Sequence, residues 1–152
     1  MKKEIDYGQA KDVVTKAIAI ATELSGCTDH YLQVFEDLER YYNMTGAGVS
    51  TEDEDSMLRR LCLSIWDLIA ICQTRAKVAY KSLKSQLKNT KMSWGSNEHE
   101  ACLQSLELQH NLESRLYKCL SVAENLTMLR NEIRGFRRNE EGTNDDSIES
   151  LY

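Results

Sequence analysis

The sequence predicts an all-α fold, an elongated antiparallel helical bundle of three long helices. Proline is absent and only seven of the 152 residues are glycine, so long helices keep their backbone donors, whereas β folds usually need more turn residues. Apolar residues also recur at spacings of four and three through three segments of similar length. This rhythm is typical of helix faces that pack against another helix.

The first predicted helix runs from about Ile5 to Met44. Its apolar positions keep the same rhythm throughout: Ala10, Val14, Ala17, Ala21, Leu24, Thr28, Tyr31, Phe35, Leu38 and Tyr42. Gly26 allows an alternative in which this segment breaks into two short antiparallel helices, giving a four-helix bundle. Because a tight hairpin has no reason to preserve the rhythm across Gly26, we predict one helix with a kink there.

The second predicted helix begins after a glycine-containing loop. Thr51 and Glu54 have the spacing of a capping box, in which each side chain accepts a hydrogen bond from the other residue's backbone amide. The helix extends to about Lys91. Its predicted inward residues are Leu58, Cys62, Ile65, Ile69, Cys72, Ala76, Ala79, Leu83 and Leu87.

The third predicted helix follows a polar turn and extends to about Gly135. Its predicted inward residues are Leu106, Leu112, Leu116, Cys119, Ala123, Leu126 and Ile133, with Leu103, Leu120 and Leu129 on the flanks. From Arg137 onward the chain is too polar to bury a face. We therefore predict a helical bundle domain over residues 1–136 and a disordered acidic tail over residues 137–152.

The charge and the cysteine content indicate the kind of environment in which the chain works. A formal net charge of -5 does not favour nucleic-acid binding by the protein as a whole. Four of the five cysteines fall on or near the apolar stripes, which is typical of buried, reduced thiols. The first residues lack the apolar stretch of a signal peptide. These observations predict a cytoplasmic, reducing location.

Catalytic and metal-binding signatures are sparse. His30, His99 and His110 have no nucleophile placed by a recognisable motif. Cys27 and His30 could join His99 and Cys102 in a tetrahedral zinc site, but the predicted bundle separates the two pairs by about 30 Å along the helices. We predict no enzymatic activity, no cofactor, no metal and no small-molecule substrate.

Large side chains outside the inward stripes are the candidate partner contacts. They are Trp66, Leu68, Tyr80 and Trp94. Aromatic side chains often dominate the energy of an interface, although the same residues would equally well thicken a core. We predict a non-enzymatic module for protein–protein interaction or assembly, which binds a protein partner or itself through an apolar and aromatic helix face. Charged ends would set the orientation.

A stripe of lysines marks the second half of the second helix. Its members are Lys77, Lys81, Lys84, Lys88 and Lys91. No acid occurs between Asp67 and Glu98, and the stripe is predicted to face solvent. A solvated surface accounts for it, and the alternative function is an adaptor that docks on an anionic surface: an acidic protein, a membrane or a nucleic acid. Nucleic acid is the weakest of these, because few aromatic side chains accompany the lysines.

Overall fold

The computed structural model describes residues 4–25, 31–44, 51–94 and 99–141, apart from the side chains of residues 24, 25, 93, 94 and 138–141. These ranges contain four helices: α1 (Tyr7–Ser25), α2 (Leu32–Asn43), α3 (Glu52–Trp94) and α4 (His99–Glu141). No strand occurs among the described residues, and the prediction of an all-α bundle is confirmed. None of the helices combines the length and apolarity needed to cross a membrane.

The first predicted helix is two helices that lie side by side. The Tyr7 and Tyr42 rings are 5.6 Å apart, and the Tyr42 hydroxyl donates to the Ile5 carbonyl over 2.5 Å. A continuous helix would separate these positions by about 50 Å. The single kinked helix is therefore wrong, and the four-helix alternative is correct. Residues 26–30, including Gly26, lie outside the described residues.

Helices α3 and α4 form one long antiparallel hairpin. Arg137 Nε contacts Asp55 Oδ1 at 3.2 Å near one end, and Gln86 Nε2 donates to the Ser105 carbonyl at 3.1 Å toward the other. The predicted capping box at the start of α3 is confirmed. The backbone amide of Thr51 donates to Glu54 Oε1, and the amide of Glu54 donates to Thr51 Oγ1. Each helix has 43 residues, and such a helix is about 64 Å long.

The core occupies only one half of this hairpin. Helices α1 and α2 pack against α3 up to Ala76 and against α4 from Cys119 to Phe136, with buried side chains from all four helices. Beyond this bundle the hairpin continues as two helices alone, over residues 77–94 and 99–118. We call this part the arm. Among its described side chains, the buried ones are Ala79, Leu83, Gln86 and Thr90.

Helix α4 extends past the boundary predicted at residue 137. It ends at Glu141, and the Arg137 side chain is buried and paired with Asp55. Arg137 can be buried because an arginine stem packs against apolar neighbours while its guanidinium contacts a carboxylate. The remaining predicted tail, residues 142–152, lies outside the described residues.

Two leucines predicted to face inward in the arm are exposed instead. Leu87 is 45% exposed and Leu106 is 37% exposed, whereas Gln86 and Thr90 are buried. From Leu83 the alternation of three and four continues to Gln86 and Thr90, and it is this alternation that keeps a helix in contact with its partner. Hydrophobicity favours Leu87 for the interior, but the packing of α3 against α4 places its polar neighbour Gln86 inside.

Candidate interaction surface

The arm carries a cluster of exposed apolar side chains, which we call the arm face. Its members are Tyr80, Leu87, Leu103, Leu106, Tyr117 and Leu120. Each of them is between 37% and 77% exposed. Leu120 lies at the border between the arm and the bundle. Isolated apolar residues are common on protein surfaces, whereas several of them on one side of a helix pair indicate a candidate interaction site.

These six side chains share one side of the hairpin. If the inward residues of α3 and α4 are labelled a and d of a heptad, all six occupy positions e or b. In an antiparallel pair, the e positions of both helices flank the a and d residues on one side and the g positions flank them on the other. The arm face is therefore a single surface built from both helices.

Helices α1 and α2 cover the opposite, g side. Phe136 at a g position packs edge to face on Tyr41 of α2, with ring centroids 5.5 Å apart. Arg75, also at g, pairs with Glu23 of α1 at 3.0 Å. The e and b side of the hairpin is consequently left open along its length. In the arm this open side carries the six apolar side chains, together with polar residues that include His110 and Glu113.

The two helices of the arm carry opposite charges. The five lysines of the stripe lie exposed on α3, and no acid occurs between Asp67 and Glu98. On α4, Glu100, Glu107 and Glu113 are exposed, and no lysine or arginine occurs between Met92 and Ser114. Among the described residues, none of these lysines forms an ion pair with these acids. The arm face is thus flanked by lysines on α3 and by Glu100 and Glu107 on α4, while Glu113 lies within it.

The structure separates the four predicted aromatic and leucine contacts. Tyr80 belongs to the arm face, and the Lys84 ammonium lies over its ring at 5.3 Å. Trp66 is half-buried on the same side of α3, with the Arg130 guanidinium 5.3 Å from its ring. Leu68 has no exposed surface, so it is a core residue instead of a surface contact. The Trp94 side chain lies outside the described residues.

Five members of the arm face were not among the predicted contacts. Leu87 and Leu106 were expected inward, and Leu103 and Leu120 were expected only as flanking residues. A signal for this surface does exist in the sequence. On α4 a second stripe runs beside the first with the same alternation, through Leu103, Leu106, His110, Glu113, Tyr117 and Leu120.

The described cysteines are placed for packing. Cys62, Cys72 and Cys119 are buried and Cys102 is half-buried, and none of these four forms a disulfide. Burial raises the pKa of Cys72 to about 12, with a smaller contribution from the neighbouring Cys119 thiol. Burial also raises the pKa of Cys119. Because a thiolate is the reactive form, these two thiols are poor nucleophiles at neutral pH.

No constellation for catalysis or metal binding stands out among the described residues. His99 and His110 are exposed, and no group of three or more His, Cys, Asp or Glu side chains is positioned to hold a metal ion. Cys27 and His30, from the zinc hypothesis, lie outside these residues. A groove between α1 and α4 is lined by residues such as Ile5, Val13 and Met128, with no histidine or cysteine.

Comparison with known proteins adds no relative from which a function could be transferred. No protein-family model matches this chain, and neither a curated protein nor a solved structure gives a significant match. Any functional assignment has to come from the surface described above.

Proposed function

We propose that this chain is a non-enzymatic helical interaction module that binds a protein partner through the arm face. The observation that carries the proposal is the uncovered apolar side of the arm. Its six exposed side chains come from two helices and are flanked by lysines on α3 and by Glu100 and Glu107 on α4. An apolar centre with a charged rim is the usual anatomy of a protein interface.

The internal packing of the arm supports a role in binding. The four-helix half buries leucines and aromatic side chains in its interior, whereas the arm buries Gln86 and Thr90 between its helices and leaves Leu87 and Leu106 outside. Without a partner, the arm therefore leaves apolar surface exposed to solvent, and burial of that surface would stabilise it. A partner on the arm face would supply the missing burial, at about 25 cal/mol per Å² of apolar surface.

Photo-crosslinking tests this function at a defined position. A photoreactive amino acid at Leu106 should give discrete protein adducts in cells, and introducing Leu103→Glu and Leu120→Glu should abolish them. Met128, which is exposed on α4 outside the arm, is the matched control position and should give none. Equal adducts at both positions, or none at Leu106, would contradict the proposal.

The second candidate function, docking on an anionic surface, is favoured by the lysine stripe. All five lysines are exposed, and each near an anionic membrane would contribute about 1 kcal/mol. The change Lys81→Glu, Lys84→Glu and Lys88→Glu should abolish sedimentation with phosphatidylserine vesicles and leave the helix content intact. Vesicle binding that survives this triple change would eliminate the candidate, as would its absence in the unaltered chain.

A further inference from the structure

We infer that the partner on the arm face is a second copy of this chain, and that the two arms pair about a two-fold axis parallel to the arm. This inference rests on the proposed function, because it uses the same surface. It specifies the occupant and its orientation. Three observations support it: the register of α3 against α4, the positions of the charged residues along the arm, and the area of the arm face.

The register of α3 against α4 determines which charged residues of the two helices lie side by side, at the same level along the arm. Gln86 lies opposite Ser105, where its amide donates to the Ser105 carbonyl at 3.1 Å. Counting from this contact in opposite directions along the two helices pairs positions at three levels. Lys91 is level with Glu100, Lys84 with Glu107, and Lys77 with Glu113 to within one residue.

Two arms can meet face to face about two kinds of two-fold axis. An axis parallel to the arm places α3 of one copy on α4 of the other without changing levels, so Lys84 faces Glu107 of the second copy and Lys91 faces its Glu100. An axis across the arm places α3 on α3 and sets five lysines against five lysines. Like charges in contact disfavour an interface, so the charge pattern selects the first axis.

The same axis also matches the apolar centre of the face. Leu87 of one copy lies at the same height along the arm as Leu103 and Leu106 of the other copy and contacts them. The two-fold symmetry repeats this contact. The four helices then form an antiparallel bundle around these leucines, with Lys84, Lys91, Glu100 and Glu107 along its outer edges and with His110 and Glu113 farther along the interface. Helix pairs with an uncovered apolar side commonly associate in this way into four-helix bundles.

The available area fits a self-complementary interface. From Leu103 to Leu120 the face is about 26 Å long, and two helices are about 20 Å wide, which gives roughly 500 Å² of flat surface per copy. Side-chain relief and the charged edges extend this toward the roughly 800 Å² per partner of a stable interface. A dimer in the micromolar range, not an obligate one, is the expected result.

The mass of the purified full chain in reducing buffer is the first test. Sedimentation equilibrium should show a concentration-dependent dimer with twice the chain mass of 17.4 kDa. Leu87→Glu with Leu106→Glu should give a monomer of unchanged helix content by circular dichroism. Met128→Glu, at the exposed control position, should leave the dimer intact. A wild-type chain that stays monomeric at roughly 100 µM would overturn the inference.

Charge exchange between copies tests the orientation. Lys84→Glu and Glu107→Lys should each weaken the dimer about tenfold, because each turns two attractive contacts into repulsive ones. An equimolar mixture of the two variants should recover the wild-type affinity, since the mixed dimer restores opposite charges at both sites. No recovery on mixing would overturn the proposed axis, because pairing within one chain cannot be rescued by a second variant.

Photo-crosslinking in cells and the mass of the purified chain together distinguish a failure of the inferred dimer from a failure of the proposed function. If photo-crosslinking at Leu106 captures another protein while the purified chain stays monomeric, the proposed function stands and the second copy is wrong. If the chain is monomeric and Leu106 gives no adduct, the proposed function fails as well. An adduct of two copies in cells together with a dimer in solution supports both.

Discussion

Replacing Leu126 with alanine should lower the free energy of unfolding by about 3 kcal/mol. Leu126 lies on α4 inside the four-helix half and has no exposed surface. The substitution removes buried methyl groups and leaves a cavity that helices packed on several sides cannot close. Urea unfolding followed by circular dichroism measures the loss.

Leu112→Ala is the matched control for this prediction. Leu112 occupies the same heptad position of the same helix, two heptads earlier, but it lies in the arm and is only half-buried. We expect a loss of about 1 kcal/mol or less, because solvent already reaches this site and little cavity remains. The comparison requires a chain concentration at which the arm is unpaired. Equal losses at the two positions would contradict the division into bundle and arm.

Replacing Arg60 with alanine should cost about 2 kcal/mol, because it takes the cation away from a buried carboxylate. The Arg60 side chain is itself 49% exposed, so water replaces part of the lost contact. The Asp37 side chain is 1% exposed. Arg60 donates to it twice, from Nε to Oδ2 and from Nη2 to Oδ1, both at 2.8 Å. The remaining donor to Asp37 is Gln33 at 3.1 Å. This bidentate pair joins α2 to α3, so its loss should loosen α2 from the bundle.

Arg59→Ala is the control for the Arg60–Asp37 pair. Arg59 contacts Asp55 four residues earlier on the same helix at 3.0 Å, and Asp55 keeps a second cation, Arg137, at 3.2 Å. Such pairs contribute about 0.5 kcal/mol, so the expected loss is small. Adding Asp37→Asn to Arg60→Ala should recover part of the stability, because a neutral amide is less costly to bury than a carboxylate. Similar losses for Arg59→Ala and Arg60→Ala would show that Asp37 does not depend on its partner.

The arm face illustrates how far the sequence could predict the site. Tyr80 and the lysines beside it could be predicted to lie outside the inward stripe, because an aromatic at such a position and a run of one charge are visible in the sequence itself. Leu87 and Leu106 were assigned to the interior, since a leucine beside a glutamine or a serine is the more hydrophobic choice. Their exposure depends on the pairing of α3 with α4, which no single helix specifies.

The sequence by itself determined the helical class, the start of α3 at the Thr51 capping box, and the inward stripe from Leu58 to Leu83. These depend on backbone propensity and on the spacing of side chains along one helix, both of which are local. Only the tertiary structure decided that α1 and α2 fold back on each other and that they cover one half of the hairpin. The four-three rhythm shows that a helix has a face to bury but not which neighbour buries it. A reversal of the chain that leaves the rhythm in phase is therefore invisible until the helices are packed together.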